Sequence, residues 1–259
     1  MSKKNIHLIS YPKSGRTWLL YMISSYCEIS TGISIRSSAF FDSSKNSKRA
    51  GLNTIRYDHG GGALAANKHH SEMSIPSSMH GANKKYVLLQ REIKDTLVSS
   101  YYQSTLRTKT ELLENCPKYE FLHHPKYGLR KILAFYKVIE EFLKDETCLY
   151  LSYEDMHADP EAVLEKVISF AGGNPDPNHI AEAVEKSRFD NMRKAEESKK
   201  FGGRLAPSRK PQSQNYESSF KTRKGVVGDY REFFTPGEIK FIDNEVKSSS
   251  IELLKRYCK

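Results

Sequence analysis

The 259-residue chain lacks several features that would place it in a specialised class of protein. Its four cysteines, Cys27, Cys116, Cys148 and Cys258, form neither a CxxC pair nor a Cys/His metal spacing, which favours a reducing compartment and predicts no bound metal. No apolar run approaches the ~20 residues that a membrane span needs, and the N-terminus lacks the pattern of a secretory signal. We therefore expect no membrane span and a cytoplasmic location.

No Pro/Gly/Ser-rich linker, charge block or internal repeat divides the chain, so a single domain over residues 1–259 is expected. Acidic residues are the minority, with 31 Asp and Glu against 41 Lys and Arg, and the formal net charge is +10. This excess indicates an anionic partner. Composition alone does not separate a nucleotide, a nucleic acid or an acidic membrane from a generally basic surface.

Short apolar runs alternate with helical patterns along most of the chain. Strands are predicted for residues 5–10, 85–90 and 148–153. Helices are predicted for residues 17–28 and 127–143. Two more helices are predicted, one that follows Asp95 as its N-cap and one that begins at Pro160. Residues 30–62 are rich in Ser, Gly, Asn and Arg and are predicted to be irregular. Strands that alternate with helices predict an α/β fold, with a central parallel sheet flanked by helices on both faces.

Basic turns follow the first two predicted strands. The first, in ISYPKSGRTW, combines Pro12, Lys13 and Gly15 directly before a helix, whose N-terminal N–H groups attract anions. The second begins at Arg91, with Ser99 in the helix that follows. Because ligands of open α/β sheets bind beyond the carboxyl ends of the strands, both turns are expected to face one crevice.

A third basic segment, RKGVVGDY, has Arg223 and Lys224 next to a glycine that allows close approach of the backbone to an anion. The first turn is not a Walker A loop, because its lysine precedes the Ser-Gly pair. An ATP-dependent small-molecule kinase of the P-loop type is thereby disfavoured and stays an alternative. A basic nucleic-acid-binding protein is the other alternative, from charge and aromatic content.

Together, and in this order, the motifs carry a resemblance to a known family. YPKSGRTW is similar to the 5'-phosphosulfate loop YPKSGTTW of the cytosolic sulfotransferases, REIKDTLVS to their 3'-phosphate segment RNPKDVAVS, and RKGVVGDY to their RKGxxGDW loop. The stretches LYLSYEDMHADP and SRFDNM also resemble family segments. The chain is identified as a member of this family over nearly its whole length.

The resemblance implies a P-loop-like fold and 3'-phosphoadenosine 5'-phosphosulfate (PAPS) as the sulfuryl donor, with the bisphosphate PAP as product. The resemblance also assigns residues to the two ends and to the middle of the donor. The residues for the 5' phosphosulfate are Lys13, Ser14, Gly15, Arg16 and Thr17, and those for the 3' phosphate are Arg91, Ser99, Arg223, Lys224 and Gly225. Trp18 and Phe189 would enclose the adenine, with Tyr153 and Ser187 at its edge.

The base that accepts the acceptor's proton is predicted in NKHHS, which resembles the family's KTH. In this register His70 is the base and Lys68 matches the family's lysine, while a one-residue slip would make His69 the base. A neutral imidazole suits the role because its ordinary pKa is ~6.5. On an extended segment the adjacent rings would point to opposite faces, so only one would reach the acceptor. Lys13 would stabilise the charge that develops on the leaving group.

Some positions depart from the family pattern. Arg16 stands where the family has Thr, and Tyr230 where it has Trp. Arg231 and Pro236 interrupt the family's C-terminal dimer motif, so a dimer by that route is not predicted. The expected partner is a small-molecule acceptor with a hydroxyl or an amine, and neither a metal nor a nucleic acid is expected to bind.

Overall fold

Four parallel strands form the central sheet in the part of the chain that the structure describes. The computed structural model describes residues 5–36, 39–58, 68–81, 83–107, 113, 116–198, 220 and 222–257. The strands are β1 (Asn5–Ser10), β2 (Thr54–Asp58), β3 (Lys84–Gln90) and β4 (Cys148–Ser152), in the spatial order β2-β1-β3-β4. All three pairings are parallel, so the carboxyl ends of the strands meet at one edge. The predicted parallel α/β fold is confirmed.

α-Helices follow β1, β3 and β4, and further α-helices lie elsewhere in the described part of the chain. They are α1 (Arg16–Thr31), α2 (Ser43–Arg49), α3 (Ile93–Tyr102), α4 (Lys118–His123), α5 (Leu129–Leu143), α6 (Tyr153–Ala158), α7 (Pro160–Phe170), α8 (Pro177–Lys186), α9 (Phe189–Glu197), α10 (Tyr230–Phe233) and α11 (Pro236–Ser248). A π-helical turn, Gln103–Arg107, continues α3, and 3₁₀ helices cover His70–Glu72, Ser77–Met79 and Glu252–Tyr257. Among the described residues, no helix has both the length and the apolar character needed to cross a bilayer.

The sheet separates two layers of core. Ile6 and Leu8 of β1 pack in one layer with Leu19 of α1, together with side chains of α7 and α8. Ile9, the next residue along, packs in the other layer with Phe135 of α5 and side chains of α3 and α11. Because neighbouring side chains of a strand face opposite sides, burial on both faces explains why β1 has apolar residues at the adjacent positions Leu8 and Ile9.

The strand β2 lies inside residues 30–62, which the sequence predicted to be irregular, and that prediction is wrong there. As an edge strand β2 buries only its first two residues, so its sequence TIRYD lacks a long apolar run. Helix α2 covers the edge: Ser43 Oγ donates to the Ile55 carbonyl (2.8 Å), and Ile55 N–H donates to Ser47 Oγ (3.1 Å). These bonds occupy backbone N–H and C=O groups of β2 that would otherwise be free to pair with a strand of another chain.

Helix α3 begins three residues earlier than predicted. Its N-cap is Glu92, whose carboxylate accepts the Lys94 N–H (3.3 Å), and not Asp95. Asp95 lies in the first turn of α3 and is 1% exposed. A carboxylate three residues inside a helix is free to bond outward, and its partners belong to the site described below.

The role of β2 as a core element can be tested by truncating its central side chain. Ile55 is 1% exposed, so Ile55→Ala should lower the free energy of unfolding by about 2–5 kcal/mol through lost burial and the cavity it leaves. Ile33 is 52% exposed, and Ile33→Ala should change the stability by less than about 0.5 kcal/mol. Urea-induced unfolding of both variants measures the difference. Equal stabilities would contradict the position of β2 in the core.

Candidate active site

The loop between β1 and α1 has two residues in the left-handed backbone region, Lys13 (φ 75°) and Gly15 (φ 93°). A Cβ at Gly15 would lie 2.4 Å from Cδ2 of Tyr153, so conformation and space both require glycine. Gly15 caps α1, whose first turn carries no acidic residue. The loop therefore presents a helix N-terminus that no carboxylate of its own neutralises, which is a site for an anion.

Arg91 follows β3 and joins three separate segments. One of its terminal nitrogens donates to the Lys13 carbonyl (3.1 Å) and the other to the Val226 carbonyl (3.4 Å). Its guanidinium lies 4.1 Å from the centre of the Tyr153 ring. Arg91 Nε is buried and has no hydrogen-bond partner among the described residues. A buried donor in this position is suited to an anionic ligand.

Asp95 holds the segment RKGVVGDY against α3. Its two carboxylate oxygens accept the N–H groups of Gly228 (2.7 Å) and Tyr230 (3.0 Å). Gly228 has φ 89°, which suits the turn that points its N–H at the carboxylate. Sequence reasoning missed this function, because the only signal was an acidic residue near a helix start.

Asp229 binds the two adjacent cations of the same segment. Lys224 Nζ donates to Asp229 (2.5 Å) and to Glu232 (2.9 Å), and Arg223 bonds the other Asp229 oxygen. Burial by itself would raise the pKa of the Asp229 carboxyl, but the bonds from Lys224 and Arg223 outweigh it and the pKa is lowered. The ionised carboxylate therefore holds both cations at the cavity.

A cavity of about 820 Å³ lies between these segments. Every residue that the resemblance assigned to the donor lines it except Ser14, whose side chain is buried. The cavity walls carry more cations than carboxylates, so they favour an anionic ligand. The cations are Lys13, Arg16, Arg91, Lys126, Arg188, Arg223 and Lys224, and the carboxylates are Glu161, Glu185 and Asp229.

Aromatic rings also line the cavity. Trp18 contacts Tyr153 edge-on with ring centroids 5.9 Å apart, and the unpredicted His157 lies 5.0 Å from Trp18. Burial and the charge of Arg91 lower the pKa of His157, which keeps that ring neutral at pH 7. Phe189 is 38% exposed, and a Cβ at Gly225 would meet it at 2.4 Å. Glycine at 225 therefore lets the loop lie against the Phe189 ring.

Two further unpredicted residues orient the cations of the first loop. Lys13 Nζ donates to Oε1 of Gln103 (3.1 Å), in the π-helical turn after α3. The Arg16 guanidinium lies 5.0 Å from the centre of the Tyr57 ring at the end of β2. Burial lowers the pKa of Arg16 to about 10, so the group stays charged at neutral pH. The sequence contains no local signal for either contact.

The predicted base lies outside the set of residues that line the cavity. His70 begins a 3₁₀ helix, and its N–H donates to the Pro125 carbonyl (3.2 Å), next to the cavity-lining Lys126 and Tyr127. The side chain of Lys68 is exposed. Burial lowers the pKa of His70 below its ordinary 6.5, and electrostatic interactions with His69 and with Arg130 and Lys131 of α5 lower it further. The imidazole is therefore neutral at pH 7.

The two histidine rings do not point to opposite faces, as an extended segment would require. Their centroids are 4.1 Å apart, because the chain turns into the 3₁₀ helix between them. His69 is the N-cap of that helix: its Nδ1 accepts the Ser71 N–H (3.3 Å) and bonds Ser71 Oγ (2.8 Å). The His69 backbone N–H donates to Glu72 (2.6 Å), which completes a capping box. The His69 ring thus has a structural task that His70 does not share.

The geometry describes an α/β protein in which a helix N-terminus suited to an anion and a second cationic cluster line the same cavity. The family model of the sulfotransferase domain matches residues 3–257 of the chain. The chain therefore belongs to the sulfotransferase family. The predicted family and the predicted class of enzyme, a PAPS-dependent sulfotransferase, are confirmed.

Similar proteins include a 3-beta-hydroxysteroid sulfotransferase of Cavia porcellus, 25% identical over 91% of this chain and 79% of that protein. A flavonol 3-sulfotransferase of Flaveria bidentis is 27% identical over 92% of this chain and 79% of its own length. Among solved structures, mouse sulfotransferase SULT7A1 complexed with PAP matches 97% of this chain and 86% of its own, at 22% identity and a TM-score of 0.59. Retinol dehydratase in complex with androsterone and inactive cofactor PAP reaches a TM-score of 0.62 at 16% identity, over 97% and 82% of the two chains. The two structures share the fold.

The anchoring of the RKGVVGDY segment by Asp95 predicts a binding defect. Asp95→Ala removes two hydrogen bonds to a carboxylate, each worth about 1.5–3 kcal/mol, and frees the loop that carries Arg223 and Lys224. We expect the Kd for PAP, measured by titration calorimetry, to rise at least about tenfold. The exposed Asp145 between α5 and β4 supplies the control, Asp145→Ala, with an unchanged Kd. An unchanged Kd in both variants would contradict the anchoring role.

Proposed function

We propose that this protein transfers the sulfuryl group of PAPS to a hydroxyl or an amine of a small molecule, with His70 as the base. The observation that carries the proposal is one cavity lined by cations of two separate segments, with Lys13 in the first and Arg223 in the second, and by the aromatic rings of Trp18, Tyr153 and Phe189. PAPS has the matching form: a phosphosulfate at one end, a 3' phosphate at the other and adenine in the middle.

The donor is held by the residues that line the cavity, in three groups. The first loop binds the phosphosulfate through the N–H groups at the start of α1 and through its two cations. Arg91 and Ser99, with the RKG segment, bind the 3' phosphate, and Trp18 and Phe189 enclose the adenine beside Tyr153 and Ser187. Ser14, which is buried, shapes the loop from beneath instead of lining the cavity.

In the reaction, an acceptor oxygen or nitrogen attacks the sulfur in line with the bridging oxygen. A bond from the acceptor to sulfur forms, the bond from sulfur to the bridging oxygen breaks, and PAP leaves with the electron pair. His70 takes the proton of the acceptor, since its lowered pKa leaves it neutral. Lys13, oriented by Gln103, stabilises the charge on the leaving oxygen, and Lys68 adds a cation beside the base.

The acceptor is a small molecule. The relatives named above are a steroid sulfotransferase and a flavonol sulfotransferase, so a hydroxyl on a mainly apolar ring system is the acceptor class to screen first. The cysteine pattern supports a cytoplasmic location, because Cys27, Cys116 and Cys148 are free thiols. The altered dimer motif, with Arg231 and Pro236, supports a form that does not dimerise by that route.

The two alternatives explain fewer of these features. A P-loop kinase has a lysine after the last glycine of its loop, where this chain has Arg16. ATP also has no 3' phosphate, so the cluster of Arg91, Arg223 and Lys224 would have no partner in it. A nucleic-acid-binding protein would spread its cations along an open face, whereas here they converge on one cavity.

The donor assignment predicts selective stabilisation by the bisphosphate. At a hundredfold excess over its Kd, PAP should stabilise the protein by about 2.7 kcal/mol, which raises Tm by several degrees. AMP and ATP, which lack the 3' phosphate, should raise Tm far less at the same concentration. Differential scanning fluorimetry with and without magnesium measures this. An equal shift with ATP, or a shift that requires magnesium, would favour the kinase.

The base assignment predicts different results for the adjacent histidines. His70→Ala should lower kcat by about 10²–10⁴, because it removes the group that accepts the proton. His69→Ala removes a helix cap and should cost stability by about 1 kcal/mol with a much smaller loss of kcat. Steady-state rates with labelled PAPS, with PAP affinity as the folding control, separate the two variants. A dead His69→Ala with an active His70→Ala would shift the register by one residue, and two active variants would exclude a histidine base.

A further inference from the structure

Lys131 of α5 is an unusual residue for the place it occupies. It is 1% exposed, and the residues one and two turns further along the same face of α5, Phe135 and Ile139, belong to the apolar core. Lysine is almost never fully buried unless a partner compensates for the loss of water. The buried ammonium group of Lys131 must therefore have a polar partner that compensates for the loss of water.

The partner of Lys131 is the backbone of the segment that carries the proposed base. Lys131 Nζ donates to the carbonyl of Lys68 at 2.7 Å. Two residues later, the His70 N–H donates to Pro125 (3.2 Å), which lies in the loop just before α5. The segment is thus tied to α5 and its preceding loop at two points that flank the His69 cap.

Stability alone does not explain the lysine. Replacing a buried charge by an apolar side chain of similar volume is often neutral or stabilising, and the surrounding face of α5 would accept methionine. Burial lowers the pKa of Lys131, which shows that the protein environment opposes its charge. What the lysine supplies, and methionine would not, is the bond to the Lys68 carbonyl.

We propose that Lys131 is a positioning residue that holds the Lys68–His70 backbone so that the His70 imidazole is directed toward the acceptor. This inference rests on the proposed role of His70 as the base. It concerns a residue that touches neither end of the donor, since Lys131 does not line the cavity.

The electrostatics of the segment add a second consequence. Burial lowers the pKa of His70 most, and electrostatic interactions with His69, Arg130 and Lys131 lower it further. Removing the charge of Lys131 therefore raises the pKa of His70 toward its ordinary value, and the acid limb of the activity profile moves to higher pH. The described charged groups around the two side chains are His69 and Glu72 on the segment, Arg130 and Lys131 on α5, and Lys68 and Lys126 nearby.

The test compares three variants of α5. Lys131→Met removes the donor and the charge, and we expect kcat to fall about tenfold to a hundredfold, because a small misplacement of a catalytic group has effects of that size. The acid limb of its kcat/KM profile should move to higher pH. Lys131→Arg keeps donor and charge and should stay within about threefold of wild type. The matched control is Lys137→Met, which removes an exposed lysine from the same helix and should change nothing.

PAP affinity and thermal unfolding show that each variant is folded. If Lys131→Met unfolds, Lys131→Gln, which keeps an uncharged donor, replaces it, and its acid limb should again move to higher pH. Wild-type kcat in a folded Lys131→Met, or an unmoved acid limb in that variant or in Lys131→Gln, would overturn the inference. If His70→Ala keeps wild-type activity, the base assignment fails and the inference fails with it. A dead His70→Ala beside a wild-type Lys131→Met would overturn only the inference.

Discussion

The contacts of the Arg91 guanidinium connect the parts of the candidate active site. Arg91 leaves the carboxyl end of β3 and bonds the carbonyl of Lys13 in the first loop and that of Val226 in the RKGVVGDY segment, while it lies over the ring of Tyr153 at the start of α6. Three segments that are up to 135 residues from Arg91 in the sequence thus share one cation. Because the sheet is parallel, the turns that follow β1, β3 and β4 all lie at the same edge of the sheet, next to Arg91.

Two carboxylates, Asp95 and Asp229, hold the cations of the RKGVVGDY segment in place at the cavity. Asp95 bonds only to backbone N–H groups and so fixes the path of the loop, whereas Asp229 bonds the side chains of Arg223 and Lys224. Fixed cations need no reorganisation when charge moves onto a leaving group, which is the main electrostatic advantage of a preformed site. Gln103 gives Lys13 a similar orientation through a neutral bond, so its full charge remains available.

Pattern reasoning succeeded where a local rule determines the structure. The inner strands β1 and β3 carry neighbouring apolar residues because both faces of the sheet are covered there, and such runs are visible in the sequence. The edge strand β4 also has a visible short run, although its Tyr150 is exposed. Pattern reasoning failed at β2, which is held by its edge position and by bonds from the serines of α2, and at the cap of α3. In both places tertiary contacts outweigh local preference, since Asp95 would be an ordinary N-cap if no loop packed against it.

The sequence by itself determined which chemistry the protein carries: the ordered motifs around Lys13, Arg91 and Arg223 identify the family and its donor, because each is a short stretch whose function depends on its own residues. The tertiary structure alone decided how those residues are held. Two of the contacts that hold them follow from how distant elements pack: that of Arg16 with Tyr57 and the bond from Lys131 to the Lys68 backbone. The pairing of the His69 and His70 rings follows from a local turn that no hydrophobic periodicity reveals. A sequence motif shows which side chains bind the ligand. The residues that position those side chains have no fixed spacing in the sequence, because any element that packs nearby can supply them.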